Sequence, residues 1–224
     1  IVTNKGAIVC EHVVNAAGSF ARQVGEWVGL DLPIVNMKHH YLVTDNLPEV
    51  EALDRELPVV RDPRASCYYR QEQQGILIGP YERNGAEAWG LDGIDWSFDM
   101  ELLNPELERL ESGLERAAQR IPCWTDAGIK RVVHGPITHT PDGGFLFGPA
   151  AGLRNYWFCC GASIGITQGP GWGQYPAQWM VHCQTEINVT VMDPRRYGSW
   201  ACGVDAGGNA REAYRLSDPA DLPG

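Results

Sequence analysis

The sequence predicts a mixed α/β fold in which a mostly antiparallel sheet is inserted into a domain built from strand–helix units. Three observations carry that expectation. Near the start, a strand-like stretch from Ala7 to Val14 passes through Asn15-Ala16-Ala17-Gly18 into a helical pattern. In the middle, short alternating runs are separated by turn residues. Towards the end, the strand-like Asn155 to Cys160 gives way to a glycine-rich run, Gly161 to Gly173, and then to another helix. Strand–helix alternation at both ends around an antiparallel centre is the pattern of an α/β domain carrying an insertion.

Element by element, Ile1 to Val9 reads as the two arms of a hairpin, entered mid-strand. The helix after Gly18 places Phe20, Val24, Trp27 and Val28 on one face, with Gly29 as its C′ residue. Ile34 to Asp45 is a long strand with partial alternation. Leu57–Arg61, Ser66–Arg70 and Gly75–Tyr81 form an antiparallel group, turned at Gln73-Gln74-Gly75. Residues 82–100 are irregular and aromatic. Asn104-Pro105 then supplies a cap and an N1 proline for the clearest helix, in which Leu107, Leu110, Leu114, Ala117 and Ile121 recur at helical spacing. Gly128 to Thr140 returns to strand and ends in the turn Pro141-Asp142-Gly143-Gly144. The last helix spans about Gly171 to Cys183, so Pro176 must fall near its first turn or kink it. The expected organisation is residues 1–33 and 141–190 in the outer domain, 34–140 in the inserted sheet and helix, and 191–224 as the start of a linking region. With Ile1 in the first position and a linker-like Leu216 to Gly224, a fragment of a longer protein is expected.

Composition narrows the function classes. The chain has 224 residues, 44% of them hydrophobic, which is enough for a real core. Asp and Glu number 28 against 18 Lys and Arg, without a block of like charge, which argues against a nucleic-acid or anionic-membrane surface. No apolar run approaches the roughly 20 residues that span a bilayer. The seven cysteines are irregularly spaced with no CxxC, so reduced intracellular thiols are expected, in a cytoplasmic or mitochondrial-matrix protein. The cysteines and six histidines show no zinc spacing, and His39 and His40, adjacent on a strand, point to opposite faces and make a poor metal pair. Cys159-Cys160 sits in an apolar strand and reads as inert core.

The glycine-rich run is the most suggestive local feature. Five glycines in thirteen residues between a strand and a helix clear side chains from the backbone, so a planar or anionic group can lie against its N–H groups. A close-packed strand–helix turn favours glycine for a different reason, and the run alone does not choose between them. Asn15 to Gly18 has the same two readings, a cofactor-approaching turn or a plain one.

Several collinear segments then resemble one family. Val13 to Phe20 is similar to the strand-end motif of D-amino-acid-oxidase-like flavoproteins. Val35 to Thr44, Leu57 to Asp62, Tyr68 to Glu72, Gly75 to Glu82, Gly135 to Thr138, Arg154 to Trp157 and Asp193 to Gly198 look like the dimethylglycine and sarcosine dehydrogenase group. The resemblance implies an FAD enzyme that oxidises the N-methyl carbon of dimethylglycine, sarcosine or a similar glycine derivative by hydride transfer to the flavin. The alternatives are another amine oxidoreductase of the superfamily or a catalytically silent, incomplete module. It implies an upstream GxGxxG turn, which no strand here carries, and a C-terminal folate domain, through which tetrahydrofolate would take part.

The resemblance also assigns residues. His39 and Tyr68 would face the substrate, the imidazole tuning or accepting an amine proton and the phenol hydrogen-bonding substrate. A satisfied sheet histidine is the plain alternative for His39. Arg70 would bind the substrate carboxylate, or pair with Glu72 instead. Ala162, Ser163, Ile164, Gly165, Ile166 and Thr167 would touch the flavin ring, their N–H groups and the following helix stabilising charge on it. Phe20 would lie near the cofactor, or pack in the core. Relatives often have a histidine near Gln168 and no proline at Pro176, and both departures bear on this segment.

Overall fold

The computed structural model describes residues 1–82, 86–198, 201 and 203–215. In chain order, β1 (Val2–Thr3) and β2 (Gly6–Ala7) form the initial hairpin, followed by β3 (Val13–Asn15) and α1 (Ala21–Glu26). Next come β4 (Val35–Thr44), the short α2 (Pro48–Glu51), β5 (Val60–Asp62), β6 (Cys67–Glu72), β7 (Gly75–Pro80) and β8 (Ala88–Trp89). After α3 (Glu111–Arg120), β9 (Ile129–His139), β10 (Leu146–Pro149) and β11 (Tyr156–Cys160) lead to α4 (Gly165–His182) and α5 (Gly203–Arg215). The mixed α/β class is as the sequence predicts. The chain divides into two compact units, one of residues 1–36, 91–94 and 138–210, the other of 37–90, 95–137 and the chain from 211.

In the first unit, β11 pairs antiparallel with β10 and parallel with β3. Ala21, Leu32, Ile34, Leu146, Tyr156 and Phe158 make the core. The expected strand from Ala7 to Val14 is interrupted: Ala7 pairs in the initial hairpin, and only Val13–Asn15 joins β11. Asn15 then ties that strand to α1: its Nδ2 donates to the Ala21 carbonyl at 2.9 Å, and its Oδ1 accepts from Ala17 N–H at 3.2 Å. The expected α1 face is wrong. The helix stops at Glu26, leaving Trp27 71% exposed, and the buried positions are Ala21 and Gly25. A Cβ on Gly25 would lie 2.0 Å from Leu32 Cδ1, so close packing demands small residues there. Gly29 does end the segment in the left-handed region, at φ +76°.

The second unit is a six-stranded sheet in the order β5-β6-β7-β4-β8, with β9 also paired to β4. The β6–β7 hairpin turns through Gln73 at φ +57°, where the sequence placed it. One face, carrying Leu42, Tyr69, Ile76 and Ile78, packs on Leu47, Val50 and Ala117 of α2, α3 and their flanks. Asn104-Pro105 does not cap a helix. The Asn104 carbonyl instead accepts from His134 Nδ1 at 2.6 Å, and α3 begins only at Glu111 after a 3-10 turn at Leu107–Arg109. The sheet fixes this extended segment before a helix can start. The linker reading of Leu216 to Gly224 falls outside the described residues.

Candidate active site

Strand pairing brings two distant residues together. Leu42 and Val43 of β4 stand opposite Ile78 and Leu77 of β7, and Gly79 stands opposite Tyr68 of β6. Side chains alternate along a strand, so His39, Tyr68 and Gly79 share the face away from the Leu42 core. Glycine at 79 has a direct steric reason: an added Cβ would lie 2.0 Å from Tyr68 Cζ. The phenol lies flat over bare backbone, and its oxygen reaches His39 Nε2 at 3.0 Å. Burial, followed by neighbouring Tyr81 and Tyr41, pushes the Tyr68 phenol up from its ordinary value, so it stays protonated at neutral pH.

His39 is held at both nitrogens. Its Nδ1 lies 2.9 Å from the Tyr214 hydroxyl, and Tyr81 stands 5.0 Å away, ring centre to ring centre. The Arg61 guanidinium lies over the Tyr81 ring at 5.6 Å, and β5–β6 register sets Arg61 beside Tyr68. Arg70 shares the Tyr68 face but pairs in-strand with Glu72 at 2.6 Å.

His40, on the opposite face, is fully buried and stacked on His134 with ring centres 3.5 Å apart. Its Nε2 accepts from Glu106 N–H at 3.2 Å, which leaves the proton on Nδ1, 3.4 Å from Glu82 Oε1. Desolvation lowers the His134 pKa, although its bond to the Asn104 carbonyl works the other way. Around this pair, Arg109 binds Glu82 at 2.6 Å and Lys38 binds Glu106 at 2.8 Å.

In the first unit, the glycine-rich run is split. Gly161 to Ile164 is a connection, but α4 already begins at Gly165, well before the expected Gly171. Gly165, Ile166 and Thr167 are therefore its first turn, and Pro176 lies deep inside it. Ile164 at the N-cap has an apolar side chain and offers no hydrogen bond to the first-turn N–H groups. Ile164 is half exposed and Ile166 fully exposed. Ser163, Ile164, Gln168 and Trp172 border a cleft of about 390 Å³ together with Asp142 to Phe145, Val191 and Met192. Asp142 is clamped: Arg196 binds both its oxygens, at 2.8 and 3.0 Å, and Gly144 N–H and the Tyr197 hydroxyl also donate to it.

Phe20, half-buried, ends the 3-10 turn that precedes α1. Burial raises the thiol pKa of both Cys159 and Cys160, which disfavours the thiolate a nucleophile needs. Among the described residues, no cluster of three or more His, Cys, Asp or Glu could hold a metal ion, and no helix is long and apolar enough to cross a membrane.

Arg61, Tyr81 and Tyr214 were not singled out from sequence. Arg61 and Tyr81 lie in motif segments but depend on register for their position. Tyr214 lies 175 residues from His39, in a stretch without any sequence signal for it.

A family profile described as FAD dependent oxidoreductase matches residues 1–179. Mouse mitochondrial dimethylglycine dehydrogenase is 39% identical over 227 residues, covering 100% of this chain and 26% of that protein. Mouse mitochondrial sarcosine dehydrogenase is 34% identical over 206 residues, covering 88% of this chain and 21% of that protein. The chain thus spans about a quarter of the length of the curated relatives it matches. Among solved structures, L-proline dehydrogenase from P. horikoshii superposes with a TM-score of 0.68 at 25% identity, over 87% of this chain and 49% of that one.

Proposed function

The chain belongs to the FAD dependent oxidoreductase family, and we propose that it is the substrate-facing part of an FAD-dependent amine dehydrogenase. The substrate is dimethylglycine, sarcosine or a similar N-methyl glycine derivative. The observation that carries this reading is the His39–Tyr68 hydrogen bond on the sheet face opposite the Leu42 core. Bound FAD would supply the oxidant, taking up the hydride that leaves the N-methyl carbon.

The chain's own residues then have four tasks. Tyr68 and His39 remove and hold the substrate amine proton, because only the neutral amine has a lone pair to assist C–H cleavage. Arg70, exchanging its Glu72 partner, binds the substrate carboxylate, and Arg61 joins it from the neighbouring strand. Ala162 to Thr167 present uncapped N–H groups and the positive end of α4 to the charge that develops on the reduced ring. Phe20 and the exposed Ile164 and Ile166 offer apolar surface suited to a flat ring. The donor set and the bare first turn fit a flavin edge. Tetrahydrofolate would take the one-carbon product through a domain beyond this chain, and the mitochondrial relatives favour a mitochondrial location.

The test is anaerobic bleaching of the flavin's visible band in the full protein, with a panel of N-methyl amino acids. Dimethylglycine or sarcosine should bleach it fastest, and bleaching by none of the panel refutes the reading.

A further inference from the structure

The geometry points to Tyr214 as a positioning residue: its phenol oxygen accepts the Nδ1–H of His39, leaving the Nε2 lone pair aimed at Tyr68. The inference rests on the proposed amine oxidation and names how that same site is poised.

A neutral imidazole has one N–H and one lone pair, so its two phenol partners cannot play the same role. Tyr214, at 2.9 Å from Nδ1, is fully buried; Tyr68, at 3.0 Å from Nε2, is only partly so. A substrate proton must arrive on the accessible side, through Tyr68. Three tyrosines face the ring: Tyr81 tilted at 5.0 Å, Tyr68 stacked at 5.9 Å and Tyr214 edge-on at 6.2 Å. Arg61 lies beyond Tyr81. The charged groups whose fields reach Tyr214 are buried Glu82 and its partner Arg109. Tyr68 can hand a proton to Nε2 only if that nitrogen carries the lone pair, so the ring hydrogen sits on Nδ1 and the Tyr214 oxygen accepts it.

The proton then moves in a balanced relay. The substrate N–H bond breaks as its proton passes to the Tyr68 oxygen, and the Tyr68 O–H proton passes to His39 Nε2. The product is a neutral amine, a neutral Tyr68 and an imidazolium. Its Nδ1–H remains bonded to Tyr214, and Tyr81 lies within cation–π range.

Tyr214→Phe in the full protein removes the oxygen and keeps the ring. The imidazolium loses an acceptor, so its pKa should fall by roughly half to one unit, from the worth of a single hydrogen bond. Histidine C2–H exchange, read by mass spectrometry with His39 resolved from His40 by fragmentation, reports that pKa without reference to turnover. In the FAD-loaded protein, kcat should fall about five- to tenfold on the same basis with KM unchanged. The acid limb of the rate profile should move to lower pH, and in a His39→Gln background Tyr214→Phe should add nothing. An unchanged or raised His39 midpoint, or an equal loss in both backgrounds, overturns the assignment. If His39→Gln is silent too, the amine-oxidation reading itself fails; if His39→Gln abolishes turnover and Tyr214→Phe does not matter, only the Tyr214 assignment falls.

Discussion

Gly79→Ala is the most informative single change outside the polar residues. The added methyl carbon would sit 2.0 Å from Tyr68 Cζ and 2.4 Å from its hydroxyl oxygen. Ordinary carbon contacts begin near 3.4 Å, so the ring must move by more than an ångström. A shift of that size breaks the 3.0 Å bond to His39. Overpacking costs about 1–3 kcal/mol, and the lost hydrogen bond adds about 0.5–1.5 kcal/mol. Alanine's better strand entropy returns about 0.5–1 kcal/mol. The net expectation is a destabilisation of about 0.5–4 kcal/mol, read by urea denaturation, with substrate-driven flavin bleaching slowed at least tenfold. The decisive assay is the double-mutant cycle with Tyr68→Ala, which removes the ring the methyl would strike. In that background Gly79→Ala should be neutral or slightly stabilising. If it costs the same in both backgrounds, the packing of Tyr68 on Gly79 is not what glycine is there for.

Other consequences can be checked alongside. His39→Gln should lower the bleaching rate by about 10²–10⁴-fold, the usual worth of a positioned acid–base group, with little change in melting temperature. The His134 pKa is lowered by burial, so the unfolded chain takes up this proton first. Stability should therefore decline as pH falls below about 6.5, and His134→Phe should flatten that decline in a pH series of melts. Burial works to raise the Asp142 pKa, but Arg196, Tyr197 and Gly144 outweigh it and hold the carboxylate well below its ordinary range. Its stabilising effect is thus complete above the unfolded value near 3.9 and lost only as pH falls through the depressed one. Asp142→Asn should cost about 1–2 kcal/mol at neutral pH, discounted for an aspartate side chain 46% exposed.

The sequence made the local elements legible and left the long-range ones obscure. The β6–β7 hairpin follows from its turn residues and alternation, and β4 and β9 follow from length and apolar content. That His39 and Tyr68 would both face the substrate is what the family resemblance implies. Their contact needs two strand registers, which the chain does not spell out. Tyr214 needed tertiary placement of α5 and had no sequence signal. At Asn104-Pro105 a good local cap lost to a sheet contact with His134. At α1, spacing pointed to Trp27 while close packing by Leu32 selected Ala21 and Gly25. At Gly165 the reverse happened, since a stretch rich in breakers became helical.

That stretch has a kinetic meaning. Within α4, Pro170 and Pro176 have no amide hydrogen to offer the Ile166 and Trp172 carbonyls, and Gly165, Gly169, Gly171 and Gly173 each disfavour coiling on their own. A peptide cut from 165–182 would be unstructured in water. The segment winds only against β10 and β11, and deuterium uptake there should outrun that of the strands beneath it. Whatever docks on its first turn would slow that uptake, which gives occupancy a signature that can be followed without any turnover.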